Sequence, residues 1–516
     1  MIETVRSLSI DRREFLRASA GALAATALSG AAPSAAPAKR PNVIFFFDDQ
    51  LRADVCGCFG GGRNIPTPHI DRLASQGTVF THALSSCPLC TPHRGMVQTG
   101  RHPTHSGLVL NWVNANPRQR CLAHVFRDAG YRTGFIGKWH LAAGDKKHAG
   151  LHNMTAAEKQ RANAGIKQSR ADNPETEFVP PGPMRLGYDH WEAYNFHSSF
   201  RRAYYYRDSP RRLIMNGYET DAEIDMAIEF MRQQQDAPDP FFLTIAPHPP
   251  HPPWNPAACP EGYLEKVGAS LHWSPNVPPD FALRQNPLPA RCYFAMASNV
   301  DDNVGRLMVF LDQSGLAANT IVVFTSDHGE MMGSHGRQNK MVPYAEAVNI
   351  PLIVRWPGRV TAGARSDVLY TPIDHYRTLC TMAGLQAPDT VDGADLSLAA
   401  TGRRVDRESV LMANYVSHWD YCDTGTLWPE WRAVKTRTHT YVKWLDGLEE
   451  LYDDAQDPYQ MTNLVEGRKD LPTLQRLRAQ LKDRLAEAHD AFLPGTAYAD
   501  WYDSERNLVQ TAIGPA

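Results

Sequence analysis

Pro41-Asn42-Val43-Ile44-Phe45-Phe46-Phe47 is an unbroken apolar run rich in β-forming residues, and it stops abruptly at Asp48-Asp49. A half-exposed strand alternates apolar with polar side chains, whereas an unbroken run suits a strand covered on both faces, as in parallel sheets. The same grammar recurs three times. Residues 131–137 end at Lys138-Trp139-His140, residues 241–246 at Pro247-His248-Pro249-Pro250-His251, and residues 320–325 at Ser326-Asp327-His328-Gly329. Helical patterns lie between them at about 67–76, 121–129, 220–234 and 291–313. Strands alternating with helices predict a parallel α/β sheet with helices on both faces. Ligands of such sheets collect outside the carboxyl ends of the strands. All four runs end in ionisable side chains, so all four point to one site.

Outward from this frame, Asp11-Arg12-Arg13-Glu14-Phe15-Leu16-Arg17 precedes a mild Ala/Gly/Leu stretch and a small-residue run ending near Ala38. This reads as a twin-arginine export signal over 1–38, cut near Ala36 or Ala38, which sends the mature chain to the periplasm or beyond. The leader is too short and Ala-rich to span a bilayer, and no other segment offers about twenty apolar residues in a row. The mature protein is therefore expected to be soluble.

Toward the other end the composition shifts near 390–405. Strand-like runs follow at 431–436 and 439–445, then an amphipathic helix at about 471–488. We read a main domain over 39–395 and a smaller α+β subdomain over 396–516. Residues 142–180, with Lys146, Lys147, His148, Lys159, Arg161, Lys167 and Arg170, and the proline-rich 253–290 read as insertions. Long irregular segments of this kind build binding sites or simply stay mobile.

With 53 basic against 56 acidic residues the net charge is −3, which gives no bulk attraction to nucleic acid or to an anionic membrane. Partners must be chosen by local sites. Nine cysteines are an odd number, so an exported chain carries at least one thiol outside any disulfide unless it pairs between chains. Cys56-Gly57-Cys58 and Cys87-Pro88-Leu89-Cys90 lack a second pair of matching spacing, which argues against zinc.

The chemistry centres on Cys90-Thr91-Pro92-His93-Arg94-Gly95, followed by Thr99-Gly100-Arg101. Taken alone, this hexapeptide also fits a buried thiol beside a turn. It stands, however, among Asp48-Asp49, the segment Thr67-Pro68-His69-Ile70-Asp71-Arg72-Leu73-Ala74, and Gly137-Lys138-Trp139-His140-Leu141. Further along come residues 299–307, Ser326-Asp327-His328-Gly329-Glu330, Lys340, residues 351–358, Thr371-Pro372-Ile373-Asp374 and Leu451-Tyr452-Asp453. In this order, from about 41 to 465, the chain resembles the type I, formylglycine-dependent sulfatases of the alkaline phosphatase superfamily.

That resemblance implies an alkaline-phosphatase-like mixed, mostly parallel sheet flanked by helices, with the smaller C-terminal α+β subdomain beside it. It implies hydrolysis of a sulfate ester, carried on a sulfated small molecule or glycan. By the same resemblance Cys90 is expected to be oxidised to formylglycine (3-oxoalanine) by a formylglycine-generating enzyme before the folded chain is exported. One hydroxyl of the hydrated aldehyde attacks sulfur and the alcohol leaves; loss of the second hydroxyl's proton then expels sulfate.

Asp48, Asp49 and Asp327, with Cys90 and His328, are expected to hold a hard divalent cation, calcium first and magnesium or manganese open. His328 is a softer ligand than calcium prefers, so a hydrogen bond to the ester is its alternative role. By the same resemblance Arg94 and Lys138 hold the nucleophile, His140 is the base, and Lys340 with His251 contacts sulfate and protonates the leaving oxygen. His248 reads as structural.

Two rivals share this pattern. One is a phosphonate monoester or phosphodiester hydrolase of the same superfamily, and the other a catalytically silent sulfated-glycan-binding protein on the same fold. The basic 146–170 region suits a sulfated polysaccharide or an ordinary solvated loop equally well. The aromatic-rich 188–206 run suits either a sugar pocket or a core.

Overall fold

In the computed structural model, which describes residues 39–144, 177–416, 430–466 and 471–516, the run after Pro41 forms the inner strand β1 (Asn42–Asp48), buried at all seven positions. The expected leader, the basic residues 146–170 and Cys422 lie outside the described residues. Around β1 stand β2 (Thr78–Phe80), β3 (Arg132–Lys138), β4 (His190–Tyr194), β5 (Phe241–Ala246), β6 (Thr320–Ser326), β7 (Leu352–Arg355) and β8 (Ala364–Ser366). Their order is β8-β2-β7-β6-β1-β5-β3-β4. β1 runs parallel to β5 and β6, β3 runs parallel to β4 and β5, and β8 runs parallel to β2. Only β7 is antiparallel to its neighbours β2 and β6, so the sheet is mixed and mostly parallel.

The apolar run is unbroken because alternate side chains of β1 enter two different cores. Ile44 and Phe46 pack with α1 (Pro68–Ser75), α4 (Glu219–Gln234) and α5 (Leu288–Ser314) through residues such as Leu73, Ile224 and Val304. Val43, Phe45 and Phe47 pack on the other face with α2 (Cys90–Thr99), α3 (Leu122–Asp128) and α6 (Asp374–Met382) through Met96, Phe126 and Leu379. A polar residue at any of these positions would be buried without a partner.

Several motif matches prove to be scaffolding. Asp301 on α5 accepts the backbone N–H groups of His69 and Ile70 at 3.1 and 2.8 Å, satisfying otherwise orphaned donors at the start of α1. A side chain at Gly305 would come within 2.5 Å of the His69 ring, so the helices approach closely only with glycine there. Asp374 accepts from Thr371 N and Oγ1 at 2.7 Å each, and from Arg407 at 2.6 Å.

A second, antiparallel sheet follows, with β9 (Val410–Asn414), β10 (Trp431–Lys435), β11 (His439–Trp444) and β12 (Glu449–Asp453) in sequence order. One face presents Met412, Trp431, Val442 and Trp444 to Met331, Val342, Tyr344 and Val348. The other takes Leu474, Leu477 and Leu481 of α7 (Pro472–Glu487). The eight cysteines within the described residues are all free thiols.

One buried histidine makes the core acid-sensitive. His375 is 2% exposed, meets Phe45 edge-on at 5.0 Å, and shares a 3.1 Å hydrogen bond with the Tyr370 hydroxyl. Burial pushes its pKa from 6.5 down to about 3. Below pH 6.5 the unfolded chain takes up a proton that the folded chain refuses. Stability therefore falls with pH from 6.5 toward 3, by about 1.4 kcal/mol per pH unit for this one group. Urea melts at pH 7 and 4.5 should show wild type losing about 3 kcal/mol more than His375→Gln over that interval. Equal losses would show that this ring does not set the acid limit.

Candidate active site

Parallel pairing places the strand ends on one edge. Asp48 is level with Ser326, Gly137 with Ala246, and Lys138 with Tyr194. Asp49, Lys138, His248 and Asp327 thus emerge side by side from four adjacent strands. Asp327 N donates to Asp48 O at 3.0 Å. Gln50 turns back in the left-handed region (φ 65°), and its N–H donates to Asp327 Oδ1 at 3.0 Å. Such a conformation is costly for a residue with a side chain and marks a place where the surroundings dictate the backbone.

Cys90 opens α2, after Leu89 in extended conformation. Pro92 is tolerated because it falls in the first turn, where amide hydrogens have no helical partner. Thr91 N is satisfied instead by Asn111 Oδ1 at 2.9 Å, and Thr91 Oγ1 donates to His140 O at 2.7 Å. Gly100, at φ 64°, closes the helix, as glycine commonly does. All ten residues of α2 are buried, so the helix that carries Cys90 is held firmly in the core.

The Cys90 Sγ lies 3.4 Å from His328 Nε2 and 3.8 Å from Lys138 Nζ. Lys138 Nζ donates to Asp49 Oδ2 at 2.5 Å. Arg94 spans Asp49 Oδ2 at 3.0 Å, Asp327 Oδ2 at 3.2 Å and the Lys138 carbonyl at 2.7 Å, with its guanidinium 4.8 Å from the Phe47 ring centre. Ligand atoms of Asp49, Cys90, Asp327 and His328 all lie within 4.8 Å of one another. Asp48 falls outside that tight set. It remains fully buried beside Asp49, and neither of its oxygens has a hydrogen-bond partner among the described residues.

The charges suit a divalent cation. Burial raises the Asp48 carboxyl well above its usual range, and the Asp49 charge raises it further. Asp327 is raised by burial and again by Asp49. Burial pushes the Asp49 carboxyl up too, but Lys138, then His251, Arg94 and His248, bring it well below the ordinary value. Three buried carboxylates, with both Asp48 oxygens and Asp49 Oδ1 lacking a hydrogen-bond partner among the described residues, are what a hard cation with oxygen ligands would balance. His328 adds a nitrogen. Its Nδ1 faces the Gly329 carbonyl at 3.0 Å, which places the proton there and leaves the Nε2 lone pair toward the cluster. Burial also raises the Cys90 thiol above its ordinary pKa, so an unmodified side chain stays protonated and weakly nucleophilic.

In front of Cys90 lies a cavity of about 200 Å3 lined by Asn111, Trp112, His140, Phe196, His251 and Lys340, together with Pro252 and Asn339. His140 is held neutral, by burial first and then by Lys138, and neither ring nitrogen has a hydrogen-bond partner among the described residues. His251 Nδ1 faces the Pro252 carbonyl at 2.8 Å, leaving Nε2 unencumbered; burial, then Lys340 and Lys138, keep the ring neutral before substrate arrives. His248 is fully buried 4.4 Å behind His251 and close to Asp49, and does not line the cavity.

Lys340 reaches the cavity from a loop in which Asn339 and Met341 both adopt positive φ, 68° and 72°. Trp431 of β10 holds that loop by donating Nε1–H to the Met341 carbonyl at 2.8 Å.

All the site residues read from the sequence thus converge, although Asp48 lies deeper than the rest. The readings passed over Asn111, Trp112, Phe196 and Asn339. Phe196 lies in the aromatic-rich run that suits a pocket or a core, and nothing periodic singles out any of the four. Of the aromatic-rich 188–206 run, Tyr188, Trp191, Tyr194 and Tyr206 fill the core and Phe196 walls the cavity.

Comparison with known proteins agrees with this geometry. Residues 41–385 match the sequence model of the family described as Sulfatase, and residues 333–491 that described as N-sulphoglucosamine sulphohydrolase, C-terminal. An ulvan-active sulfatase of Formosa agariphila is 31% identical, covering 92% of this chain and 86% of its own length. An endo-4-O-sulfatase of Bacteroides thetaiotaomicron is 29% identical over 83% of this chain and 88% of its own. The crystal structure of the sulfatase-like protein yidJ from Bacteroides fragilis superposes with a TM-score of 0.75 at 30% identity, covering 90% of this chain and 98% of the other.

Proposed function

The chain belongs to the sulfatase family, and on that premise we propose that it removes sulfate from a sulfated carbohydrate, with residue 90 acting as formylglycine and calcium as the bound ion. It is a sulfuric ester hydrolase. The observation that carries the finer reading is the placement of Cys90 against Asp49, Asp327 and His328, at the floor of a cavity walled by Lys340 and His251.

Oxidised and hydrated, residue 90 would supply a hydroxyl nucleophile; Asp48, Asp49, Asp327 and His328 are the residues that would hold a divalent cation, which when bound would offset negative charge on the sulfuryl oxygens. Everything else falls to side chains of this chain. Lys138 and Arg94 fix Asp49 and keep positive charge beside residue 90. His140, neutral and open at both nitrogens, is placed to accept a proton in the step that frees sulfate. Lys340 and His251 face the leaving oxygen. An anionic ester entering the cavity offsets the Lys340 and Lys138 charges that, after burial, keep His251 neutral, and so favours its protonated, donating form.

The carbohydrate reading rests on two supports. Relatives at 31% and 29% identity are an ulvan-active sulfatase and an endo-4-O-sulfatase. The cavity walls combine aromatic rings, Trp112 and Phe196, with the amides of Asn111 and Asn339. A sugar ring offers an apolar C–H face to the first and hydroxyls to the second. The Arg12-Arg13 leader supports export by the twin-arginine route to the periplasm or beyond.

A panel of sulfated monosaccharides, glycan fragments and aryl sulfates, run beside an aryl phosphonate monoester, tests the proposal. Sulfated sugars should give the highest kcat/KM, and preference for the phosphonate would overturn it. Trp112→Ala should raise KM for the best sugar about 10-fold, the value of one stacked aromatic contact, with kcat within about 3-fold of wild type. An unchanged KM would remove Trp112 from the substrate wall.

A further inference from the structure

Resting on the assignment of Lys340 to the leaving oxygen, we propose that Gln50 is a positioning residue for this reaction, an amide bridge that with Glu330 fixes where the Lys340 ammonium points. Gln50 Oε1 accepts from Lys340 Nζ at 2.5 Å, and Gln50 Nε2 donates to Glu330 Oε2 at 2.5 Å. The orientation of the amide is unambiguous. A carboxylate only accepts and an ammonium only donates, so the NH2 end must face Glu330 and the oxygen must face Lys340. All three side chains are buried, with Gln50 and Glu330 at 0% and Lys340 at 2% exposure, so no bulk water substitutes for these bonds.

The other oxygen of Glu330 accepts the backbone N–H groups of Met332 at 3.1 Å and Asn339 at 2.7 Å. One carboxylate therefore holds both the amide that orients Lys340 and the loop that carries it. Gln50 meanwhile donates its own backbone N–H to Asp327 Oδ1 at 3.0 Å, from its left-handed conformation. A single residue thus links the ion-binding edge of the sheet to the cation on the far wall of the cavity. With one N–H committed to Gln50, the two remaining Lys340 donors are left to face the space shared with Cys90 and His251.

Glutamate at position 50 would set a second carboxylate against Glu330, and methionine would leave Lys340 and Glu330 buried without their shared partner. Lysine misalignment of this kind matters only in proportion to the charge that develops on the leaving oxygen. The consequence is specific: loss of Gln50 should harm esters of poor leaving groups far more than esters of good ones.

The test measures kcat for a nitrophenyl sulfate and for a sulfated sugar in wild type, Gln50→Met, Lys340→Ala and the double variant. Calcium-dependent melting temperatures serve as a check on folding. Gln50→Met should lose about 10- to 100-fold on the sugar ester and less than about 3-fold on the nitrophenyl ester, with KM little changed. Lys340→Ala should show the same leaving-group signature, and adding Gln50→Met to it should cost nothing further. Should Gln50→Met not fold, Gln50→Asn keeps the amide but is one methylene short, and should show the same asymmetry. Equal losses on both esters, or additive losses in the double variant, would overturn the role of Gln50. Lys340→Ala without the asymmetry would overturn the assignment of Lys340 itself, and the inference with it.

Discussion

Cys90→Ser is expected to lose at least about 1000-fold in kcat with no measurable change in melting temperature. The side chain is nearly isosteric and sits at the first position of a helix that is buried along its whole length, so the fold has no reason to notice. The chemistry does. A serine hydroxyl held beside Lys138 and His328 can attack sulfur once, but it lacks the second hydroxyl whose proton loss expels sulfate, so turnover stops at the first cycle. Rapid-quench kinetics should show at most one alcohol released per protein, and mass spectrometry should find the sulfate still attached to residue 90. Sustained turnover by the serine variant, or a fully active wild-type preparation in which residue 90 is an intact thiol, would refute formylglycine chemistry. A glycan-binding protein, by contrast, would keep its ligand in the variant with no turnover to lose.

Removal of the bound ion should be nearly as damaging. Dialysis against a chelator is expected to cut activity at least about 100-fold, with calcium restoring it. The same treatment should lower the melting temperature, because Asp48, Asp49 and Asp327 are fully buried and burial raises both Asp48 and Asp327. An ion at 100 times its dissociation constant adds about 2.7 kcal/mol to stability, which is readily seen in a thermal melt. Asp327→Asn should abolish the calcium-dependent part of that shift. It also frees Arg94 from one of its two carboxylates, so its activity loss should match or exceed that of chelation. Better recovery with magnesium or manganese than with calcium would revise the identity of the ion, while activity indifferent to chelation and to all three would sink the metal-assisted mechanism.

Much of the site was legible in the chain because the four strands carry their signal locally. Each unbroken apolar run states that both faces of its strand are covered, and each ends in Asp, Lys or His. Where runs pair in parallel, their ends must share an edge, so Asp48, Asp49, Lys138 and Asp327 converge as a matter of register. His251 follows β5 by the same logic. Not every motif match carries chemistry: Asp301, within residues 299–307, and Asp374 cap helices and turns.

What the amino-acid order determined by itself was the set of buried strands and the ionisable side chains that end them; the role of Cys90 came only through the resemblance of the motifs around it. Tertiary structure alone decided which of the two adjacent aspartates sits in the tight donor set and which way the His328 ring offers its lone pair. It alone showed that Phe196 walls the cavity while its aromatic neighbours fill the core. Alternation along a strand or helix is a short-range pattern that any chain segment displays. The pairing of Gln50 with Lys340, or of Asn111 with Thr91, exists only once segments far apart in the chain have packed, because hydrogen-bond direction depends on a backbone turn and a neighbour's distance, and local sequence encodes neither.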